Sequence, residues 1–219
     1  MPFRSLWVER PATLVTIVLY CATLWAAKEF VRPTAEPASS YPSHDTHPTE
    51  KVAAAVDVYN AAPKTDIFNT NYRQEGILPV FLVITNDSDR PISVNHMGAQ
   101  WVTTRKTKLE ALDVDDVMRR VGHVSGASNP HQVGPISLPG HGPRNKKAQQ
   151  ENDEITRAIF TAAAVEPHST QSGFLFFDVQ NVHDYLAGAH VYLTGIRDSG
   201  GSELMYFDIA VIPSNAAGQ

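Results

Sequence analysis

The chain has 219 residues, a hydrophobic fraction of 42% and a formal net charge of −5, enough for one sizeable core and, with no basic stripe, a poor match to a nucleic-acid-binding surface. The acidic balance persists when Arg4, Glu9 and Arg10 are set aside. Cys21 is the single cysteine, so no disulfide can close within the chain and cysteine usage says nothing about compartment.

Residues 12–27, ATLVTIVLYCATLWAA, form an uncharged apolar run that follows Arg4 and Arg10 and is closed by Lys28-Glu29. The run is short for a membrane span of roughly 20 residues and long for the core of a signal peptide. Leu24 and Trp25 stand where a cleavage site needs small residues, which favours an uncleaved anchor over a cleaved signal peptide. Tyr20 before Cys21 argues against a lipoprotein, and Pro11 and Pro33 bracket the run in a way that weakens the reading as a soluble buried helix. Residues 1–31 are therefore assigned to a transmembrane signal anchor. Positive charges on the two sides of the run are nearly balanced, so they leave its orientation open.

From Arg32 to Glu50 the sequence RPTAEPASSYPSHDTHPTE is rich in Pro, Ser and Thr and poor in large apolar residues. That composition predicts a disordered linker, and a stalk of this kind suits a domain outside the cytoplasm, in the periplasm or on the cell surface.

From Lys51 to 213 short apolar runs alternate with turn residues, as in an all-β sandwich or barrel. Strands are predicted near 52–59, 65–69, 77–86, 91–104, 108–112, 159–166, 172–180, 189–197 and 203–212. In the stretch 76–94, Val80 to Ile84 read as a strand covered on both faces, and Asn86-Asp87-Ser88-Asp89 ends it with side chains able to bond back to the main chain. Met205, Phe207, Ile209 and Val211 alternate with Tyr206, Asp208 and Ala210, which predicts a half-buried strand. The Asp198-Ser199-Gly200-Gly201 turn joins it to its neighbour as a C-terminal hairpin. The run GFLFFDV, 173–179, is apolar on both faces and is expected to lie centrally in its sheet, opposite the 77–86 strand. An insertion at 113–158 breaks the β pattern. Asp113 can cap a helix to about Val121 supported by Asp115–Arg119 and Asp116–Arg120 pairs, residues 122–145 read as a long Gly/Pro/Ser-rich loop, and a second helix covers 147–157. Residues 214–219 are read as a disordered tail.

The order ILPVFLVITNDSDRPISV, AQWVTT, EPHSTQSGFLFFDV and ELMYFDIAV resembles immunoglobulin-like domains of uncharacterised anchored or secreted bacterial proteins, over roughly residues 50–212. The 113–158 insertion departs from that pattern, as does Glu166-Pro167-His168 where the turn often carries Pro-Gly. The resemblance implies an immunoglobulin-like β-sandwich in the cell envelope and brings no catalytic residues with it.

Nine histidines invite a metal test, because three or four must converge on one ion. His123, His131 and His141 group in or beside the long loop and are the candidate ligands, although none has the close spacing of a recognised site. His44 and His47 lack a third partner, while His168 and His190 suit a turn and an exposed strand position. The string Gly122-His123-Val124-Ser125-Gly126 has its serine one place off a nucleophile elbow, with no strand leading into it. Asp87 and Asp89, and Asp113, Asp115 and Asp116, lack the spacing of a calcium loop and its closing glutamate. Trp101, Phe174, Phe176 and Phe177 suit the sandwich core. No catalytic set and no cofactor are expected. The reading favoured is a non-catalytic protein-interaction or envelope-structural module, anchored through residues 12–27 and holding a protein or envelope partner through an edge strand or the 122–145 loop. A metal- or small-ligand-binding domain using the loop histidines is the alternative, and an envelope hydrolase the third.

Overall fold

The computed structural model describes residues 29–121, 146–204 and 206–212. The expected anchor run, the 122–145 loop and the C-terminal tail lie outside them. Among the described residues no helix is long and apolar enough to cross a membrane.

The described chain is mostly β. It runs through β1 (His44–His47), β2 (Val52–Val58), β3 (Ile77–Asn86), β4 (Ile92–Ser93), β5 (Gly98–Val102), β6 (Lys108–Glu110), α1 (Val114–Val121), α2 (Lys146–Ala158), β7 (Ala164–Val165), β8 (Ser169–Asp178), β9 (His190–Thr194) and β10 (Phe207–Ala210). The first sheet has the order β1-β2-β3-β8 and the second β10-β9-β5-β6, while β4 and β7 make a short separate pair. All pairings between these strands are antiparallel. Two antiparallel sheets facing each other across a shared core give a sandwich-like arrangement.

The first sheet is covered on both faces. Every residue of β3 is buried, and strand alternation divides its apolar side chains between two cores. Leu78, Val80, Leu82 and Ile84 join Val52, Ala54 and Val56 of β2, together with Leu175 and Phe177 of β8, against Trp101, Val191, Leu193, Phe207 and Ile209 of the second sheet. Ile77, Phe81 and Val83 join Phe174 and Phe176 in a second core, closed by Phe30, Tyr59, Phe68, Tyr72, α1 and α2.

The sandwich is nearly closed along both seams. At one, the Asp208 N–H donates to Asp45 Oδ2 (2.9 Å), the Ile212 N–H donates to Ser43 Oγ (2.8 Å), and His47 stacks on Phe207 with ring centroids 4.0 Å apart. At the other, Ala111 bridges Phe177 and the Leu112 N–H donates to the Phe176 carbonyl (2.7 Å).

Several expectations need correction. Residues 32–50 are not a free linker. β1 pairs with β2, the Ala38 N–H donates to Thr85 Oγ1 (2.9 Å), and Arg32 donates from Nη1 to the Ser172 carbonyl (2.8 Å) and from Nη2 to the Arg157 carbonyl (2.6 Å). Just before it, Phe30 is buried and stacks on Phe68 with centroids 5.6 Å apart. The run 173–179 falls largely in β8, which pairs directly with β3 at the end of the same sheet instead of facing it. Its two-sided apolar character comes from the second sheet on one face and the helical layer on the other. The strand expected at 65–69 is a 3-10 turn, Lys64–Ile67, that delivers Phe68 to the second core. The strand expected over 91–104 is split into β4 and β5 by a turn in which the Met97 N–H donates to the Val94 carbonyl (3.1 Å). The strand expected over 159–166 shrinks to β7, after the Phe160 N–H has donated to the Phe174 carbonyl (2.9 Å).

Both helices form where expected. On α1, Val114, Val117, Met118 and Val121 make the inward stripe. Asp116 pairs with Arg119 (2.9 Å), three residues on, and Arg120 reaches across to Asp178, so these pairs replace the expected Asp115–Arg119 and Asp116–Arg120 pairs. The C-terminal hairpin is present: β9 and β10 pair, and Asp198 Oδ1 accepts from the Gly200 and Ser202 N–H groups within the turn (2.8 and 2.9 Å). Asn86 ends β3 as expected of a turn residue, its Nδ2 donating to the Arg90 (2.7 Å) and Val165 (3.0 Å) carbonyls.

The N-terminal segment is thus expected to carry stability. Phe30→Ala should cost about 3–5 kcal/mol, whereas Val31→Ala at the exposed neighbouring position should stay within about 0.5 kcal/mol, as read from urea unfolding of the two variants. Gly173 makes a second test: a Cβ there would lie 2.5 Å from Phe160 Cα, so Gly173→Ala should destabilise by about 1–3 kcal/mol in the same assay.

Candidate functional site

The second sheet has one face in the inter-sheet core and the other toward solvent. Alternation on β9 sends Val191 and Leu193 inward and His190, Tyr192 and Thr194 outward. On β10, Phe207 and Ile209 go inward while Asp208 and Ala210 go outward. The antiparallel register then places Asp208, Tyr192, Gln100 and Glu110 side by side across four strands.

The polar groups of this row are tied together. His190 Nδ1 lies 2.6 Å from Asp208 Oδ1, and Gln100 Nε2 donates to Glu110 Oε1 (2.6 Å). The Tyr192 ring stacks near His190 (6.2 Å between centroids) and lies 5.9 Å from the ring of Tyr206. Desolvation, then the neighbouring Asp208 carboxylate, holds the Tyr192 phenol above its ordinary value. Tyr206 is 53% exposed at the end of the row. The outer face offers flat apolar area with hydroxyl, imidazole and carboxylate groups at its rim, the composition suited to non-covalent recognition.

A second feature lies at one end of the first sheet. A cleft of about 720 Å³ is lined by Tyr59, Asn60, Asn71, Tyr72, Arg73 and Tyr185 among others. Behind its loop stands Glu154, the one charged side chain buried among the described residues, at 2% exposure. Its carboxylate accepts from the Asn69 N–H (2.6 Å), the Thr70 N–H (3.3 Å) and the Tyr72 hydroxyl (3.1 Å). A buried carboxylate needs such partners. Glu154 does not line the cleft, and its bonds fasten loop 69–72 to α2, which makes it a positioning group. Burial first, then Glu154, raises the Tyr72 phenol far above its ordinary value, and burial followed by Asp57 pushes Tyr59 up to about 12.

The residues singled out from the sequence fall as follows. His123, His131 and His141 lie outside the described residues, as does the Gly122–Gly126 string. Among the described residues no three His, Cys, Asp or Glu side chains gather as metal ligands would. His44 and His47 sit on β1, His44 Nδ1 lying 2.5 Å from the Tyr41 carbonyl. His168 occupies a turn with φ of 52° and lies 3.1 Å from Asp89, and His190 belongs to the outer-face row. Trp101, Phe174, Phe176 and Phe177 are all fully buried. Sequence reasoning missed Glu154, although an acid at 154 beside Ile155 and Ala158 on the inward stripe of α2 was a visible signal. It also missed the Tyr192–Tyr206 pairing, which depends on strand register.

No protein-family model matches the chain, and no curated protein is significantly similar to it. Among solved structures, a crystal structure of a conserved hypothetical protein from Bacillus anthracis is similar over 73% of this chain and 87% of that one, at 8% identity and a TM-score of 0.28. A likeness at that level carries no argument about function.

Glu154→Ala should cost about 2–4 kcal/mol, because two main-chain donors and a phenol lose a charged acceptor, and limited proteolysis should then cut within 69–72 faster than in the parent. The raised tyrosines set a pH dependence. Their neutral forms are favoured by the fold, so stability is complete below the ordinary tyrosine value near 10 and falls as the pH climbs toward 12. Unfolding midpoints measured across that window check it.

Proposed function

We propose that the protein is a membrane-anchored, extracytoplasmic, non-catalytic protein-interaction or envelope-structural module on an immunoglobulin-like sandwich, which holds its partner on the outer face of the second sheet. The observation that carries this reading is the outward-facing row of Tyr206, Tyr192, His190 and Asp208, of which Tyr206 and Asp208 are exposed and Tyr192 and His190 half-buried. The chain's own contacts occupy both sheet seams, which favours this face over the edge strands as the docking surface. The anchor rests on the apolar run 12–27 behind Arg4 and Arg10.

The test is capture from native membranes after crosslinking, comparing the parent with a Tyr192→Ala/Tyr206→Ala variant and with a chain lacking residues 122–145. Tyr206→Ala at its exposed position should stay within about 0.5 kcal/mol and Tyr192→Ala, half-buried on a strand paired on both sides, should cost about 1 kcal/mol, so the unfolding midpoint of the double variant is measured beside the capture to show that it is folded. Loss of a partner from the double variant, with retention by the loop deletion, is the expected result. An unchanged captured set in the double variant contradicts the assigned face.

A further inference from the structure

We infer that the domain does not stand off on a stalk but rests against the membrane surface, with α2 and the N-terminal segment facing the lipid headgroups. The inference depends on the anchor reading of residues 12–27. Its own ground is how Glu29, Phe30 and Arg32 are held. Phe30 is 6% exposed and lies in the second core against Phe68 and Phe174. Glu29 pairs with Arg157 of α2, and Arg32 is bonded to the Arg157 and Ser172 carbonyls.

The apolar run ends at Ala27, and Phe30 follows three positions later, a reach of about 11 Å at most when fully extended. A domain fixed at Phe30 therefore cannot move farther than that from the end of an inserted run without breaking its own core. The face carried to the bilayer is the one around that exit point, where Glu29, Gln150, Asp153 and Arg157 border a shallow hollow.

The surface chemistry fits a headgroup layer. Val31, beside the exit point, is 73% exposed, the most exposed large apolar side chain among the described residues. Arg157 stands with Glu29 and Asp153 around the hollow, and Lys147 pairs with Glu151 (3.7 Å) farther along α2, a mixture of signs among the described residues. Contact is thus set by the short tether and suits zwitterionic lipid, without needing anionic lipid. The layer order puts the outer face of the second sheet on the far side of the domain, about 20 Å away given roughly 10 Å between packed layers. The Tyr192–Tyr206 row then points into the compartment.

The test uses the full chain with Cys21→Ser and a single labelled cysteine, either Asp153→Cys or Thr194→Cys, reconstituted in phosphatidylcholine vesicles that carry a headgroup-linked energy acceptor. Transfer from position 153 should exceed that from 194 several-fold and should not change with salt. A flexible Gly/Ser insert of about 20 residues between Lys28 and Glu29, with a mean span of about 25 Å, should abolish the difference. Equal transfer from both positions in protein that floats with the vesicles overturns the apposed geometry and leaves the anchor standing. Protein that fails to float with the vesicles overturns the anchor itself, and the apposition with it.

Discussion

The constraint on which the fold depends is that β3 is buried along its whole length. A strand with apolar side chains on both faces needs two covers, and the protein provides them differently. The second sheet covers one face through Trp101, Val191, Leu193, Phe207 and Ile209. The other is covered by a composite of α1, α2, the 59–76 loop and the N-terminal segment, with Phe30, Phe68 and Tyr72 packed on Phe174 and Phe176. Without that second cover, Phe81, Val83, Phe174 and Phe176 would form an apolar patch of the kind that drives association.

The composite layer explains two features that otherwise look unrelated. Arg32 satisfies carbonyls at the end of α2, where a helix leaves its last acceptors without internal partners. Glu154 does the reverse from within α2, accepting from the main chain of the 69–72 loop. One group ties the N-terminal segment to the helix and the other ties the loop to it, so the three parts of the cover hold one another in place.

Much of this was legible from residue pattern. The apolar run from Val80 to Ile84 and the polar turn after it located β3, the alternation around Phe207 located the C-terminal hairpin, and the acid-before-base spacing after Asp113 located α1. Pattern failed where main-chain bonding or neighbour choice decided the outcome. Residues 44–47 read as linker because they contribute few apolar side chains, yet their backbone pairs with β2 regardless of composition. The two-sided apolar character of 173–179 revealed double burial but could not say whether β3 was its neighbour or its opposite number. Of the candidate site, Tyr206 and Asp208 were legible as an outward-facing alternation and His190 as an exposed strand position, but only register brings Tyr192 beside Asp208. Glu154 was hidden by the expectation that an acid on a helix faces water.

Whether the N-terminal segment belongs to the folded core is tested most directly by amide hydrogen exchange of the full-length protein, comparing residues 38–47 with β2 and β3. Protection of the Ala38 amide and the β1 amides paired to β2, at rates within the range of the central sheet, is the predicted result. Exchange of 38–47 at the rate of an unstructured chain, while β3 stays protected, would contradict the account.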